Sequence, residues 1–254
     1  MNLIRSCSKR NFVLFCASYF GIEGLIGPPP ARAEGVPVTG RVSITQGVGE
    51  AKRSANSSTV VWLTPRGDSP GAESRDHDRG RRFRLVQKHK RFDPHLLVVP
   101  VGSTIEFPNL DPFFHNVFSL FEGKRFDLGL YEAGTTRGIV FDRPGVSYIF
   151  CNIHPEMSAI VIAVRSPYYG VSDKSGEITI PNVLPGRYLL QVWHESASPE
   201  VLGGLTREIA VSDDSASFGT LRLKKAGSLK LAHKNLYGRD YEPPTPPSPL
   251  YDQP

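Results

Sequence analysis

Val146-Ser147-Tyr148-Ile149-Phe150-Cys151-Asn152-Ile153-His154-Pro155-Glu156-Met157-Ser158-Ala159-Ile160-Val161-Ile162-Ala163-Val164 is the stretch that sets the fold class. Val146 to Cys151 and Ala159 to Val164 are short, β-branched and aromatic runs, which read as strands rather than helices. The turn between them carries Cys151, His154 and Met157. Beyond residue 33 these are the sole cysteine and the sole methionine of the chain, six positions apart.

The rest of the chain repeats the strand pattern. Val36 to Ile44, Thr59 to Leu63, Phe83 to Val86, Leu96 to Val99, Ser103 to Phe107, Asn116 to Leu120 and Thr135 to Phe141 are short β-rich runs. Glu177 to Ile180, Arg187 to Trp193, Leu205 to Val211 and Gly219 to Leu223 continue the series. Pro100-Val101-Gly102, Arg143-Pro144-Gly145 and Leu184-Pro185-Gly186 punctuate them as turns. No long segment holds an apolar period of 3.6, so an all-β fold is expected, with a two-sheet sandwich at its centre.

The first 33 residues read as an export signal. Arg5, Lys9 and Arg10 precede an apolar run from Phe12 to Ile26, and Ala31-Arg32-Ala33 offers small residues for cleavage. Glu23 interrupts the run, which falls short of the ~20 apolar residues a spanning helix needs. Bulky Phe15 argues against a lipid anchor at Cys16. An exported or periplasmic protein without a membrane span in its mature chain is therefore expected.

Cleavage removes four bases (Arg5, Lys9, Arg10, Arg32) and one acid (Glu23), leaving 26 bases and 24 acids. The net charge drops from +5 to +2, and the basic balance ceases to argue for nucleic acid. Cys7 and Cys16 leave with the signal, so Cys151 is a lone thiol in an oxidising compartment: incidental, reactive or metal-bound.

Metal binding suits the residues around it best. Thiolate and imidazole fit copper or zinc, whereas a thioether has little attraction for zinc. A second imidazole is available at His115, in Phe113-Phe114-His115-Asn116-Val117-Phe118, arriving from another strand. Two histidines, one cysteine and one methionine are the ligand types of a mononuclear type 1 copper site. Taken singly, Cys151 and Met157 would be core residues and His115 a satisfied histidine at a strand edge. A Cys–His nucleophile lacks an orienting third group, a binuclear copper centre lacks a second cysteine, and a multicopper oxidase lacks any His-x-His pair. His77, His89, His95, His194 and His233 are isolated and read as surface or structural.

Several segments together resemble the cupredoxin family. They are Pro94-His95-Leu96-Leu97-Val98-Val99-Pro100-Val101-Gly102, Phe107-Pro108-Asn109, His115-Asn116-Val117 and Phe141-Asp142-Arg143-Pro144-Gly145, followed by Cys151, His154 and Met157. The Cys-x2-His-x2-Met loop is similar to that of amicyanin and pseudoazurin, and shorter than that of plastocyanin. The resemblance covers residues 84–166 and implies a Greek-key β-sandwich holding one type 1 copper ion. It implies His115 and His154 as equatorial imidazoles, Cys151 as thiolate and Met157 as axial sulfur. Asn116 matches the family asparagine that ties the two ligand segments together. Ile153 stands where many relatives have proline, with Pro155 after the histidine instead.

A second resemblance covers the flanks. Gly176-Glu177-Ile178-Thr179-Ile180-Pro181-Asn182-Val183-Leu184-Pro185-Gly186-Arg187-Tyr188-Leu189-Leu190-Gln191-Val192 is similar to the second half of carboxypeptidase-regulatory-like (transthyretin-like) sandwiches. Val38-Thr39-Gly40-Arg41-Val42 and Val60-Val61-Trp62-Leu63-Thr64-Pro65 resemble their opening strands. Neither half has enough strands to bury a core alone. The resulting expectation is a small second β-sandwich built from residues 34–66 and 167–224, with the cupredoxin-like region inserted and a mobile loop at 67–83. Residues 225–254 read as a basic and Pro-rich tail.

The resemblance implies one-electron transfer with no substrate chemistry, so no enzyme, acting with redox partner proteins. Arg79-Gly80-Arg81-Arg82, Arg84 and Lys88-His89-Lys90-Arg91 are either solvated surface or a docking face for an acidic redox partner. The other function class left open is an envelope copper-handling or binding module whose copper is carried or structural.

Overall fold

Period-2 alternation decides which face each strand buries, and it builds three apolar layers here. The computed structural model describes residues 34–45, 58–67, 80–120, 123–214, 216–224 and 235–241. The export signal read at 1–33, residues 68–79 of the expected loop, and 225–234 and 242–254 of the tail lie outside the described residues. No helix among the described residues is long and apolar enough to cross a membrane.

The fold is all-β with one short helix. β1 (Val36–Thr45) and β2 (Val60–Pro65) open the described chain. β3 (Arg82–Arg84), β4 (Val86–Lys88), β5 (Arg91–Asp93), β6 (Leu96–Pro100) and β7 (Thr104–Pro108) follow. Next come β8 (His115–Ser119), β9 (Phe126–Tyr131), β10 (Thr136–Val140), β11 (Gly145–Phe150) and β12 (Ser158–Val164). β13 (Tyr169–Val171), β14 (Glu177–Val183), β15 (Gly186–Trp193), α1 (Pro199–Leu205), β16 (Arg207–Val211) and β17 (Ser217–Lys224) complete it.

Two sheets, ordered β10-β7-β3 and β6-β12-β11-β8-β9, form the central sandwich. The chain passes repeatedly from one sheet to the other, as in Greek-key sandwiches. Their inner faces meet in a core that includes Val99, Ile105, Phe107, Val117, Ile149, Ala159 and Val161. The other two sheets, β14-β1-β17 and β13-β2-β15-β16, enclose a second core around Val38, Leu63, Ile180, Tyr188, Leu190 and Leu221. Here β1 lies antiparallel to β14, with Val38 opposite Ile180, and parallel to β17, with Val42 opposite Leu221. β2 lies antiparallel to β15, with Leu63 opposite Leu190. Strands from before and after the central sandwich thus close one sandwich between them.

A third apolar layer joins the two. β12 is buried on both faces: Ala159, Val161 and Ala163 turn into the central core. Ile160, Ile162 and Val164 turn the other way, with Val98, onto Val60 and Trp193. That two-sided burial is why Ala159 to Val164 is apolar throughout rather than alternating. A fully buried side chain of this size contributes roughly 1.5–3 kcal/mol.

Several elements differ from the sequence expectation. The run expected from Phe83 to Val86 is two short strands, broken at fully buried Leu85. Pairing also starts before position 84, because Phe83 sits opposite Ile105 and packs on the central core. β9 goes unseen in the sequence because Gly129, at φ +66°, interrupts its alternation. Leu205 ends a helix instead of opening a strand. Ser198 caps that helix with its hydroxyl accepting from Val201 N at 3.4 Å, and seven residues are too few to display a helical period.

Candidate metal centre

His115 and Cys151 reach the same point because of strand parity. In β8, His115 shares a face with Val117, which lies in the central core. Cys151, one residue past β11, shares a face with Ile149 in that core. β8 and β11 are neighbours, paired at Phe118 and Phe150, so both side chains converge at one end of the sandwich. The β11–β12 turn then folds His154 back over them. It is closed by Cys151 N donating to Met157 O at 3.3 Å and Met157 N donating to His154 O at 3.0 Å.

Three donor atoms result, facing one another. Cys151 Sγ lies 3.8 Å from His115 Nδ1 and 3.6 Å from His154 Nδ1, and the two nitrogens are 3.1 Å apart. Those separations suit one ion about 2.0 Å from each nitrogen and about 2.3 Å from sulfur. Among the described residues this is the one cluster of three His, Cys, Asp or Glu side chains with such mutual spacing. His115 and Cys151 are fully buried and His154 is half-buried. Met157 is fully buried in the same core as Cys151.

Burial shifts two members of the cluster, Cys151 and His154. It raises the Cys151 thiol above its ordinary value, partly offset by N–H groups of Asn116, Ile153 and His154. It lowers His154, and the neighbouring His115 lowers it further. The thiol therefore favours its protonated form, and an ion bound there would displace that proton.

The sequence reading missed Asp111. Its Oδ2 lies 2.8 Å from His115 Nε2, and both side chains are buried. A carboxylate there accepts a hydrogen bond from Nε2–H, which favours the tautomer whose Nδ1 lone pair faces Cys151 and His154. Asp111 also accepts from His89 N at 2.6 Å and Lys90 N at 2.9 Å. Those two residues form the β4–β5 turn, both at positive φ, where Asn-Gly is the usual occupant. Burial alone would raise the Asp111 carboxyl, but the hydrogen bonds from Lys90, His115 and His89 outweigh it and hold the group below its ordinary value. The one available signal was the spacing of four between Asp111 and His115, which is common by chance.

Asn116 links the two segments that carry the cluster. Its Oδ1 accepts from Asn152 N at 3.3 Å, and its Nδ2 donates to Asp127 at 2.8 Å. Phe113 packs against both imidazoles, with ring centroids 5.2 Å from His115 and 5.6 Å from His154. Lys90 Nζ lies 5.5 Å from the Phe113 ring centroid. The remaining described histidines serve elsewhere. His95 meets Glu195 at 3.0 Å, and His194 Nδ1 accepts from Ser196 N at 3.1 Å.

No family model matches the chain, and no curated protein matches it. Similar solved structures include a copper-containing nitrite reductase from Thermus scotoductus SA-01, at 27% identity over 32% of this chain, with a TM-score of 0.31. The match spans 22% of that reductase's length. A purple cupredoxin from Nitrosopumilus maritimus is 25% identical over 32% of this chain and 98% of its own, with a TM-score of 0.29. A reduced amicyanin mutant is 19% identical over 41% of this chain and 98% of its own, with a TM-score of 0.31.

Proposed function

We propose that this protein is an exported type 1 copper electron carrier in which His115, Cys151, His154 and Met157 would hold the ion. The observation that carries the reading is the convergence of one buried thiol and two imidazole Nδ1 atoms within 3.8 Å, on one strand and one turn at the end of the sandwich. Bound there, copper supplies a one-electron couple between Cu(I) and Cu(II). Asp111 holds the ring of His115, and Asn116 holds the turn after Cys151. Little has to move when the charge on the ion changes.

The route for electrons is through His154, the half-buried ligand. Exposed Leu110, Phe114 and Ile153 lie on the two loops that bring the ligands together. An apolar surface there with a basic rim from Lys88, His89, Lys90 and Arg91 suits an acidic redox partner. The other basic run is less available: Arg82 and Arg84 pair with Glu106 at 2.6 and 3.8 Å. The split sandwich supports or docks the copper-bearing one and has no chemistry of its own in this reading.

Addition of Cu(II) to the purified protein is expected to give an intense blue colour, and Cys151→Ser to abolish it. The colour should bleach with ascorbate and return with ferricyanide. A colourless copper-loaded wild type, or one that surrenders Cu(I) to a competing chelator instead of cycling, assigns the protein to copper handling.

A further inference from the structure

The peptide between Cys151 and Asn152 is gripped from outside the sandwich as well as from within. On the inner side, Asn152 N donates to Asn116 Oδ1. Two further bonds come from the segment 235–241, more than eighty residues along the chain. Tyr241 Oη donates to the Cys151 carbonyl at 2.9 Å, and Leu236 N donates to Asn152 Oδ1 at 2.7 Å.

That segment is closed on itself. Asn235 Oδ1 accepts from Tyr237 N and Arg239 N, each at 3.0 Å. Asn235 N donates to Arg239 O at 2.9 Å, and Gly238 N to Asn235 O at 2.9 Å, with Gly238 at φ +73°. The effect is to hold Leu236 and Tyr241 half-buried against the turn while 237–240 stay exposed. Burial raises the Tyr241 phenol above its ordinary value, so it remains a donor.

We propose that residues 235–241 form a clasp that positions the cysteine, with Tyr241 fixing the Cys151 carbonyl and the Leu236 amide fixing the Asn152 side chain, so that the thiol stays turned toward His115 and His154. Each bond opposes opening of the turn, and the Tyr241 bond draws electron density from the carbonyl of the ligand residue itself. The effect on copper rests on the function proposed above, but the effect on the thiol does not. Tyr241 and Leu236 are positioning groups, since neither is placed in contact with the ion.

The test compares the signal-cleaved chain, in which Cys151 is the sole cysteine, with its Tyr241→Phe, Asn152→Ala, double and Tyr237→Ala variants. Tyr237 sits in the same segment, 75% exposed, and bonds Asn235 Oδ1 through its backbone N, which the substitution keeps. Without added copper, Cys151 is labelled with an aromatic disulfide reagent at fixed pH under native conditions. Losing one hydrogen bond should speed labelling about three- to tenfold, and losing both about ten- to a hundredfold. Tyr237→Ala should stay within about twofold. Thermal midpoints are measured alongside, because a clasp acts on local opening more than on global unfolding.

With copper added, Tyr241→Phe should shift the thiolate-to-copper absorption band and the reduction potential, neither of which a purely structural tyrosine would move. Wild-type labelling rates in the double variant would overturn the clasp. So would equal acceleration by Tyr237→Ala, or acceleration matched in full by a lower thermal midpoint. If labelling responds as expected but no variant or wild type turns blue, the clasp stands and the copper reading falls. If the protein is blue and labelling is flat, the reverse holds.

Discussion

The two sandwiches use the same kind of strand for different ends. The central one runs from β3 to β12 and gathers Asp111, His115 and Cys151 at one end of its core, all of them buried. The other is split, with β1 and β2 separated from β13 to β17 by the whole central sandwich, and its buried polar groups are hydroxyls such as those of Thr59, Ser166 and Ser172 beside a large apolar cluster. Splitting costs little because the insertion begins and ends at one place. Leu63 N donates to Tyr168 O at 2.9 Å, and Ser166 Oγ donates to Leu63 O. Loop-closure entropy grows only slowly with length, so a folded insertion whose ends already meet leaves the split core intact. The sandwich that buries Asp111, His115 and Cys151 is thereby backed by one whose core is mainly apolar.

The largest expected effect tests whether the two behave as one body. Leu190→Ala in the split core removes a fully buried side chain and should cost about 2–5 kcal/mol. The chain's two tryptophans, Trp62 and Trp193, both lie at the layer between the sandwiches, so their fluorescence reports on that junction. Because that layer is buried and apolar, one transition at a lower temperature is expected, with fluorescence and far-UV circular dichroism coincident. Two separated transitions would show that the sandwiches unfold independently.

A smaller effect is expected within the central sandwich. Asp111→Asn keeps the size of the side chain but loses the charge that holds His115, and metal affinity should fall about 10- to 100-fold in competition with a chelator. Fluorescence of the junction should not change. An unchanged affinity would mean that the strand alone orients His115.

The smallest effect is a pH dependence at the junction. His95, on the central sandwich, has its pKa raised from 6.5 chiefly by the hydrogen bond with Glu195 on the split one, against the opposing pull of burial. A histidine whose folded value is raised contributes stability fully below its unfolded value, and that contribution is lost as pH rises through the folded value. The difference in thermal midpoint between wild type and Glu195→Gln should therefore be present near pH 5.5 and vanish near pH 8.5. Both residues are substantially exposed, so the shift is small. A gap that widens with pH would contradict this assignment.

Much of the fold was legible because β-strands announce themselves locally, by β-branched runs of five to seven residues between turn residues. β6, β7, β11, β12 and β15 lie where their runs of Val, Ile, Leu and Tyr place them. β9 and α1 were not legible, the first because glycine breaks its alternation and the second because it is shorter than two helical turns. In the site, Cys151, His154 and Met157 share one turn, so spacing alone puts them together. Asp111 and Tyr241 carried no such mark, since an aspartate in a loop and a tyrosine in a Pro-rich tail are ordinary.

What the sequence determined by itself is therefore the local chemistry: an all-β chain, with a thiol, an imidazole and a thioether gathered in one turn between two strands. The tertiary structure alone decided which distant groups meet that turn. It placed His115 against Cys151 across 36 positions, Tyr241 on the Cys151 carbonyl across 90, and Arg41 on Glu177 across 136. The physical reason is the range of the signals. Strand period and turn propensity act over a few residues, whereas these contacts follow from how buried faces stack. That stacking is a property of the whole set of apolar side chains rather than of any segment.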